Sequence, residues 1–257
     1  MPKSCDSHIH TTFSPDGHQT MEEACARAAA LGLNAVCFTE HQDFDEAYRD
    51  FYKPEAYFAE LARLRERYEG RLRILAGLEF EECHKHPAEL EQAQKRPYDF
   101  ILGSVHCWIG DLFASQVKGL GLPLERVYEL YWAEVLKMVR HGGFDSVAHL
   151  DFPKRYLDDA LWYDPAALDE IFSEMRKRGL ALEINTSSLR KGCAEAMPGE
   201  ALLRRYRANG GQYVTLGSDA HYAADIYADV PQARDMAEGL GLKAVWFAAR
   251  GMINAEC

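Results

Sequence analysis

The sequence predicts an α/β fold, a seven-stranded (β/α) barrel of the TIM-like kind. Three observations carry this. Apolar strand-like runs alternate with amphipathic helical stretches along the chain, which implies parallel strands joined by right-handed crossovers. The 257 residues match one barrel of about 250 residues, and residues 1–257 are read as a single domain. Each of seven strands is followed at its C-terminal end by residues able to bind a metal or donate and accept hydrogen bonds. In a barrel those ends converge on one mouth, whereas an open sheet would not gather seven of them. No GxGxxG follows any strand, so the dinucleotide-binding open sheet lacks its chief signal.

The elements follow in order. Ser4–Ile9 is the first strand. Thr20 and Glu23 form a capping-box pair that opens a helix running to Leu31, with Gly32 beyond its end. Ala35–Thr39 is apolar throughout, as a strand buried on both faces should be. Pro54 opens a helix with Phe58, Leu61, Leu64 and Tyr68 at helical spacing. Arg73–Leu78 and Phe100–Val105 are strands three and four. Leu124–His141 is a helix with Val127, Leu130, Tyr131, Val135 and Val139 along one side, stopped by Gly142-Gly143. Ser146–His149 is strand five. Pro165–Arg178 is a helix that stops at Gly179, and Leu180–Ile184 is strand six. Pro198–Asn209 is a helix, Tyr213–Gly217 strand seven, Val230–Leu240 a helix and Ala244–Ala249 a last apolar stretch.

Composition narrows the function classes. Hydrophobic residues make up 47% and charged residues 27%, enough for a real core. No apolar run approaches the roughly 20 residues of a membrane span; Ala24–Leu33 comes nearest and is interrupted by Arg27. Met1 to Asp6 shows no apolar signal segment. The seven cysteines (5, 25, 37, 83, 107, 193 and 257) are odd in number and contain no CxxC, so a reducing cytoplasm is expected rather than a disulfide framework. The formal charge of −11, from 29 basic and 40 acidic residues, argues against long nucleic acid or a membrane surface as partner. An anionic substrate would need bound metal ions and a few placed arginines.

Ten histidines make metal the leading expectation. His8 and His10 are one residue apart on a strand, so both imidazoles point to one side and can share an ion; Asp219 and His221 repeat the spacing. Imidazole with carboxylate suits Zn, Mn or Fe. The candidate ligands are His8, His10, Asp16, His41, Glu79, His106, His149, Asp219 and His221, enough for two ions, or three with bridging carboxylates. Glu40, Glu183 and Asn185 also stand at strand ends. His18 is read as a turn residue and His141 as a helix-end cation. His84 and His86 are read as loop residues near the mouth. Tyr131, Trp132 and Trp162 are read as core or domain surface, and the oligomeric state stays open.

These residues resemble a known family. Asp6-Ser-His-Ile-His-Thr-Thr-Phe-Ser-Pro-Asp16-Gly17 is similar to the first motif of the PHP (polymerase and histidinol phosphatase) phosphoesterases. Thr39-Glu-His41, Gly77-Leu-Glu79, Gly103-Ser-Val-His106, Ala148-His149-Leu-Asp151 and Gly217-Ser-Asp219-Ala-His221 match the remaining motifs in order. Within the family, His149-Leu-Asp-Phe-Pro-Lys-Arg155-Tyr and Glu183-Ile-Asn-Thr-Ser-Ser-Leu-Arg190-Lys-Gly resemble the stand-alone L-histidinol-phosphate phosphatases of histidine biosynthesis. Ser188 stands where related sequences often have Gly, and the Cys83–Pro87 segment also departs.

The resemblance implies a distorted form of that barrel, with one ion on His8, His10, Glu79 and Asp219, a second on Glu79, His106 and His149, and a third on Asp16, His41 and His221. It implies phosphate contacts from Arg155 and Arg190 and places Ser104 at the substrate. Glu79, Asp219 and His221 are the expected catalytic residues. The reaction implied is hydrolysis of a small phosphate monoester by hydroxide held between the ions, with His221 or a metal-bound water returning a proton to the leaving alkoxide. A nucleotide or another small ester is the alternative substrate. An amidohydrolase-type barrel also begins with HxH but needs a bridging residue such as carboxylated lysine, and no strand here ends in Lys. A non-catalytic domain would be expected to have lost ligands.

Overall fold

The computed structural model describes residues 4–254; Cys257 lies outside them. The chain runs β1 (Cys5–Ile9), α1 (Met21–Ala30), β2 (Ala35–Gln42), α2 (Pro54–Arg67), β3 (Arg73–Glu81), α3 (Pro87–Gln94), β4 (Phe100–Ser104), a hairpin of β5 (Cys107–Ile109) and β6 (Leu112–Phe113), α4 (Ala114–Val117), α5 (Leu124–His141) and β7 (Ser146–Val147). It continues through α6 (Pro165–Arg178), β8 (Ala181–Asn185), α7 (Ser187–Arg190), α8 (Glu200–Ala208), β9 (Tyr213–Gly217), α9 (Val230–Gly239), β10 (Lys243–Ala248) and β11 (Gly251–Asn254).

The main sheet has the order β1-β2-β3-β4-β7-β8-β9-β10-β11, parallel up to β10, with β10–β11 antiparallel. The ring closes between the C-terminal ends of β9 and β1. Ile9 bridges Ala220 in parallel, His10 N–H donates to the Ala220 carbonyl at 3.0 Å, and Asp219 N–H donates to the His8 carbonyl at 2.8 Å. Seven strands thus form a (β/α) barrel. Its distortion lies in β9, whose start pairs with β10 through Tyr213 and Val214 while its end turns to β1. The β10–β11 turn reaches across the opposite, N-terminal end of the barrel. There Ala249 N–H donates to Asp99 Oδ1 at 2.8 Å and Arg250 Nε to Asp145 Oδ2 at 2.6 Å.

Local chemistry explains the helix ends. Thr20 and Glu23 form the reciprocal capping box of α1. The helices α5 and α6 stop at Gly142 and Gly179, both at positive φ. Val127, Tyr131, Val135 and Val139 of α5 are buried. Tyr131 and Trp132 are core residues, and Trp162 is partly buried against that core. Several features depart from the sequence expectation, among them the short α4, α7 and β11, which no signal in the sequence marks. Helix α3 was not anticipated, because only Leu90 and Ala93 along it are buried, too narrow an apolar stripe to read. The β5–β6 hairpin is too short to signal itself. Strand β7 ends at Val147 rather than His149, because His149 leaves the extended conformation with φ +22°.

Candidate metal centre

The strand ends deliver the nine candidate ligands to one place. His8 Nε2 and His10 Nε2, from β1 and the residue after it, lie 2.9 Å apart. Glu79 on β3 faces them, its Oε2 3.1 Å from His8 Nε2 and 3.3 Å from His10 Nε2. Asp219 Oδ1 is 3.3 Å from His10 Nε2. The other oxygen of Glu79, Oε1, is 3.3 Å from His106 Nε2 and 2.9 Å from His149 Nε2. A third group sits beside these: Asp16 Oδ2 lies 3.0 Å from His221 Nε2, and Asp16 Oδ1 lies 3.6 Å from His41 Nε2. Among the described residues the groups within reach of single ions include His8–His10–Asp219, Glu79–His106–His149 and His10–His41–His221, with His41–Asp43–His106 and Glu81–Glu82–Cys107 as two further groups.

The donor set suits cations. His8 Nδ1 is 2.5 Å from Glu183 Oε1, and His10 Nδ1 is 3.1 Å from Ser14 Oγ. These partners favour a ring proton on Nδ1, so each ring, once neutral as a ligand must be, turns an Nε2 lone pair toward the other and toward Glu79. Lone pairs and carboxylates gathered at such distances repel unless a cation lies among them. Imidazole with carboxylate at this count fits a divalent transition metal. Ser14 is itself held, donating to Glu40 Oε2 at 2.6 Å and accepting from His41 N–H at 3.0 Å.

The same groups shift one another's ionisation. Burial works against the charge of His8, but Glu183, Glu79 and Asp219 outweigh it, and its pKa lies well above the ordinary imidazole value. Burial alone would raise Glu79, yet His8 and His41 hold it well below the carboxylate range. His10 goes the other way: burial, with His41 and His221 beside it, lowers its pKa. Two of the candidate ligands carry backbone strain, with φ +22° at His149 and +53° at Asp219, each costing about 1–3 kcal/mol. Hydrogen bonds hold both. Glu183 Oε2 accepts from His149 N–H at 2.8 Å, and Ser187 Oγ donates to Asp219 Oδ2 at 2.9 Å.

Above the cluster opens a cavity of about 310 Å³. His41, Glu79, His106, His149, Asp219 and His221 form its floor. Phe113, Phe152, Tyr156 and Arg155 also line it, the three aromatic rings in mutual contact, as do Asp43, Asp45, Tyr48 and Glu81. Arg155 lies over the rings of Phe152 and Tyr156, with Nη1 3.5 Å from Asp219 Oδ2. Arg190 is not part of the lining. It donates to the Ser218 carbonyl, its Nε lies 3.6 Å from Asp225, and its buried Nη1 has no protein acceptor. Ser104 is fully buried on β4 and does not line the cavity either. His84 pairs with Glu134 at 2.8 Å and His86 stacks on Phe44; neither lines the cavity. His18 is exposed and stacks on Tyr222.

Sequence reasoning passed over Asp43 and Glu81, though each stands two residues beyond a candidate ligand, at the strand period that returns a side chain to the same face. Burial raises Asp43 to about 6.

Known proteins were compared with this chain. The probable histidinol-phosphatase of Clostridium acetobutylicum is 32% identical over 96% of this chain and 98% of its own length. The probable histidinol-phosphatase of Deinococcus radiodurans is 34% identical over 90% and 93%. A crystal structure of histidinol phosphate phosphatase from Lactococcus lactis, complexed with zinc, L-histidinol and phosphate, superimposes with a TM-score of 0.84 at 26% identity, covering 98% of this chain and 99% of that one. The PHP domain matches residues 6–187, a span that begins at the motif of the first strand and runs past β8. On that match, and on relatives aligned over nearly their whole length, the chain belongs to the PHP domain family.

Proposed function

We propose that the protein is a metal-dependent phosphomonoesterase that hydrolyses L-histidinol phosphate to L-histidinol and phosphate, a step of histidine biosynthesis. The observation that carries this reading is the fit to the Lactococcus lactis enzyme, whose structure holds zinc, L-histidinol and phosphate. In the present chain His8, His10, Glu79 and Asp219 would hold one divalent ion and Glu79, His106 and His149 a second, with Asp16, His41 and His221 as a third set. When bound, the ions supply Lewis-acid stabilisation of the phosphoryl oxygens and a nucleophile drawn from water at neutral pH.

The chain's own groups do the rest. Arg155 lines the cavity and presents a planar fork to a phosphoryl group. Arg190 keeps a buried Nη1 without a protein acceptor, and it would meet a phosphoryl oxygen only after its guanidinium turned from the Ser218 carbonyl toward the cavity. His221 lines the cavity and, although burial opposes its charge, its hydrogen bond to the Asp16 carboxylate and the nearby Asp219 carboxylate raise its pKa. With the third set empty, His221 is a side chain at the cavity that could return a proton to the leaving alkoxide; as a ligand of a third ion it would leave that role to water. The acidic Asp43, Asp45 and Glu81 line the cavity together with the aromatic Phe113 and Tyr156. That lining suits an alcohol carrying an amine and a flat ring, and it disfavours a polyanionic strand. No helix among the described residues is long and apolar enough to cross a membrane, and the six described cysteines are unpaired, which suits a reducing cytoplasm.

The test is phosphate release from L-histidinol phosphate, p-nitrophenyl phosphate, nucleotides and sugar phosphates, with added Mn²⁺ or Zn²⁺ and with chelator. The expected result is chelator-sensitive turnover with a strong preference for L-histidinol phosphate. A preference for a nucleotide would keep the metal centre and replace the substrate. Arg155→Lys should lower kcat/KM by about 10–100-fold, the worth of a hydrogen bond to a charged group. Unchanged kinetics would remove Arg155 from the phosphate site.

A further inference from the structure

We infer that Glu183 is a positioning residue for the metal centre, its two oxygens fixing the tautomer of His8 and the backbone of His149, residues of two different ion sites. The inference rests on the metal-ion part of the reading above and is independent of the alcohol.

Glu183 lies on β8, almost wholly buried, and does not line the cavity. Its Oε1 is 2.5 Å from His8 Nδ1. Its Oε2 accepts from His149 N–H at 2.8 Å and from Asn185 Nδ2 at 3.3 Å. A carboxylate offers only acceptors, so His8 must carry its proton on Nδ1, and Nε2 is left free to ligate. The second oxygen secures His149 in its left-handed conformation, which aims the imidazole at Glu79 Oε1. The network extends to a third candidate ligand: Ser187 Oγ lies 2.7 Å from Asn185 Oδ1 and 2.9 Å from Asp219 Oδ2. Gly217 on the neighbouring β9 leaves room for the pair. A Cβ there would stand 2.4 Å from His8 Cβ and 2.6 Å from Glu183 Oε1, closer than real Cβ contacts come.

Glu183→Gln tests this. The amide matches the carboxylate in shape but has one acceptor and one donor group. If its oxygen serves His149, its NH2 faces His8 Nδ1, which must become an acceptor, and the proton moves to Nε2 and blocks ligation. If the amide is flipped, the His149 N–H loses its acceptor. The expected result is a zinc affinity about 10–100-fold weaker by titration calorimetry, with less metal retained on the isolated protein, while the chelated variant melts like chelated wild type. Glu183→Asp keeps both acceptors and should fall between. A folded Glu183→Gln that binds zinc with wild-type affinity and stoichiometry would overturn the inference. Should the variant fail to fold, long-range ¹H–¹⁵N spectra of zinc-loaded wild type decide instead. A proton on His8 Nδ1 is expected, and a ring protonated on Nε2 would overturn the inference. Wild type that binds no divalent ion at all would sink the metal reading itself, a different result from normal wild-type binding matched by the variant.

Discussion

Glu79→Ala is expected to lose both metal and phosphatase activity, because one carboxylate serves two groups of imidazoles. Its Oε2 faces His8 and His10 and its Oε1 faces His106 and His149. Removing it deletes the bridge and leaves two sets of nitrogens with nothing between them. Even partners outside a coordination shell cost about 10–100-fold when removed, so a bridging ligand should cost more than about 100-fold in kcat/KM. Metal content by mass spectrometry, read beside turnover of p-nitrophenyl phosphate, checks this. Near wild-type turnover with full metal would exclude Glu79 from the centre.

Removing the ions should also lower the melting temperature by a large step. A ligand that binds only the folded state at 100 times its Kd contributes about 2.7 kcal/mol. Two such ions contribute roughly 5 kcal/mol, and a domain of about 250 residues shifts by about 2–4 °C per kcal/mol. Chelation should therefore bring Tm down by about 10–20 °C in calorimetry, restored by zinc or manganese. The buried charges reinforce the sign, since without cations the Glu79 and Asp219 carboxylates and the surrounding imidazoles depend on protons alone for compensation. An unchanged melt on chelation would contradict ion binding at this cluster.

Much of the architecture is legible in the sequence because the chain marks its boundaries. Helices α5 and α6 match their expected spans, Leu124–His141 and Pro165–Arg178, since Gly142 and Gly179 stop them. The capping pair of Thr20 and Glu23 marks α1. Short elements carry no such signals: α3 buries only two residues, and the hairpin that brings Phe113 to the cavity spans seven residues, Cys107 to Phe113. The convergence of His8, His10, Glu79, His106, His149 and Asp219 is readable because strand ends in a barrel share a mouth. What holds them is less so. The grip of Glu183 on His8 and of Ser14 on His10 depends on neighbours across strands and loops, as does the strained turn at His149. Arg190 shows the same limit, since its position after β8 suggests the mouth while its guanidinium is engaged with the Ser218 carbonyl.

The closure of the ring between β1 and β9 bears on the order of assembly. His8 and His10 leave the ribosome more than two hundred residues ahead of Asp219, Ala220 and His221, which complete the seam and the candidate centre. Contacts so distant in sequence form slowly, because the loop entropy is lost before the pairing rewards it. The first strand must therefore wait, with its imidazoles exposed, until the seventh barrel strand arrives, and catalytic competence is among the last properties the nascent chain acquires.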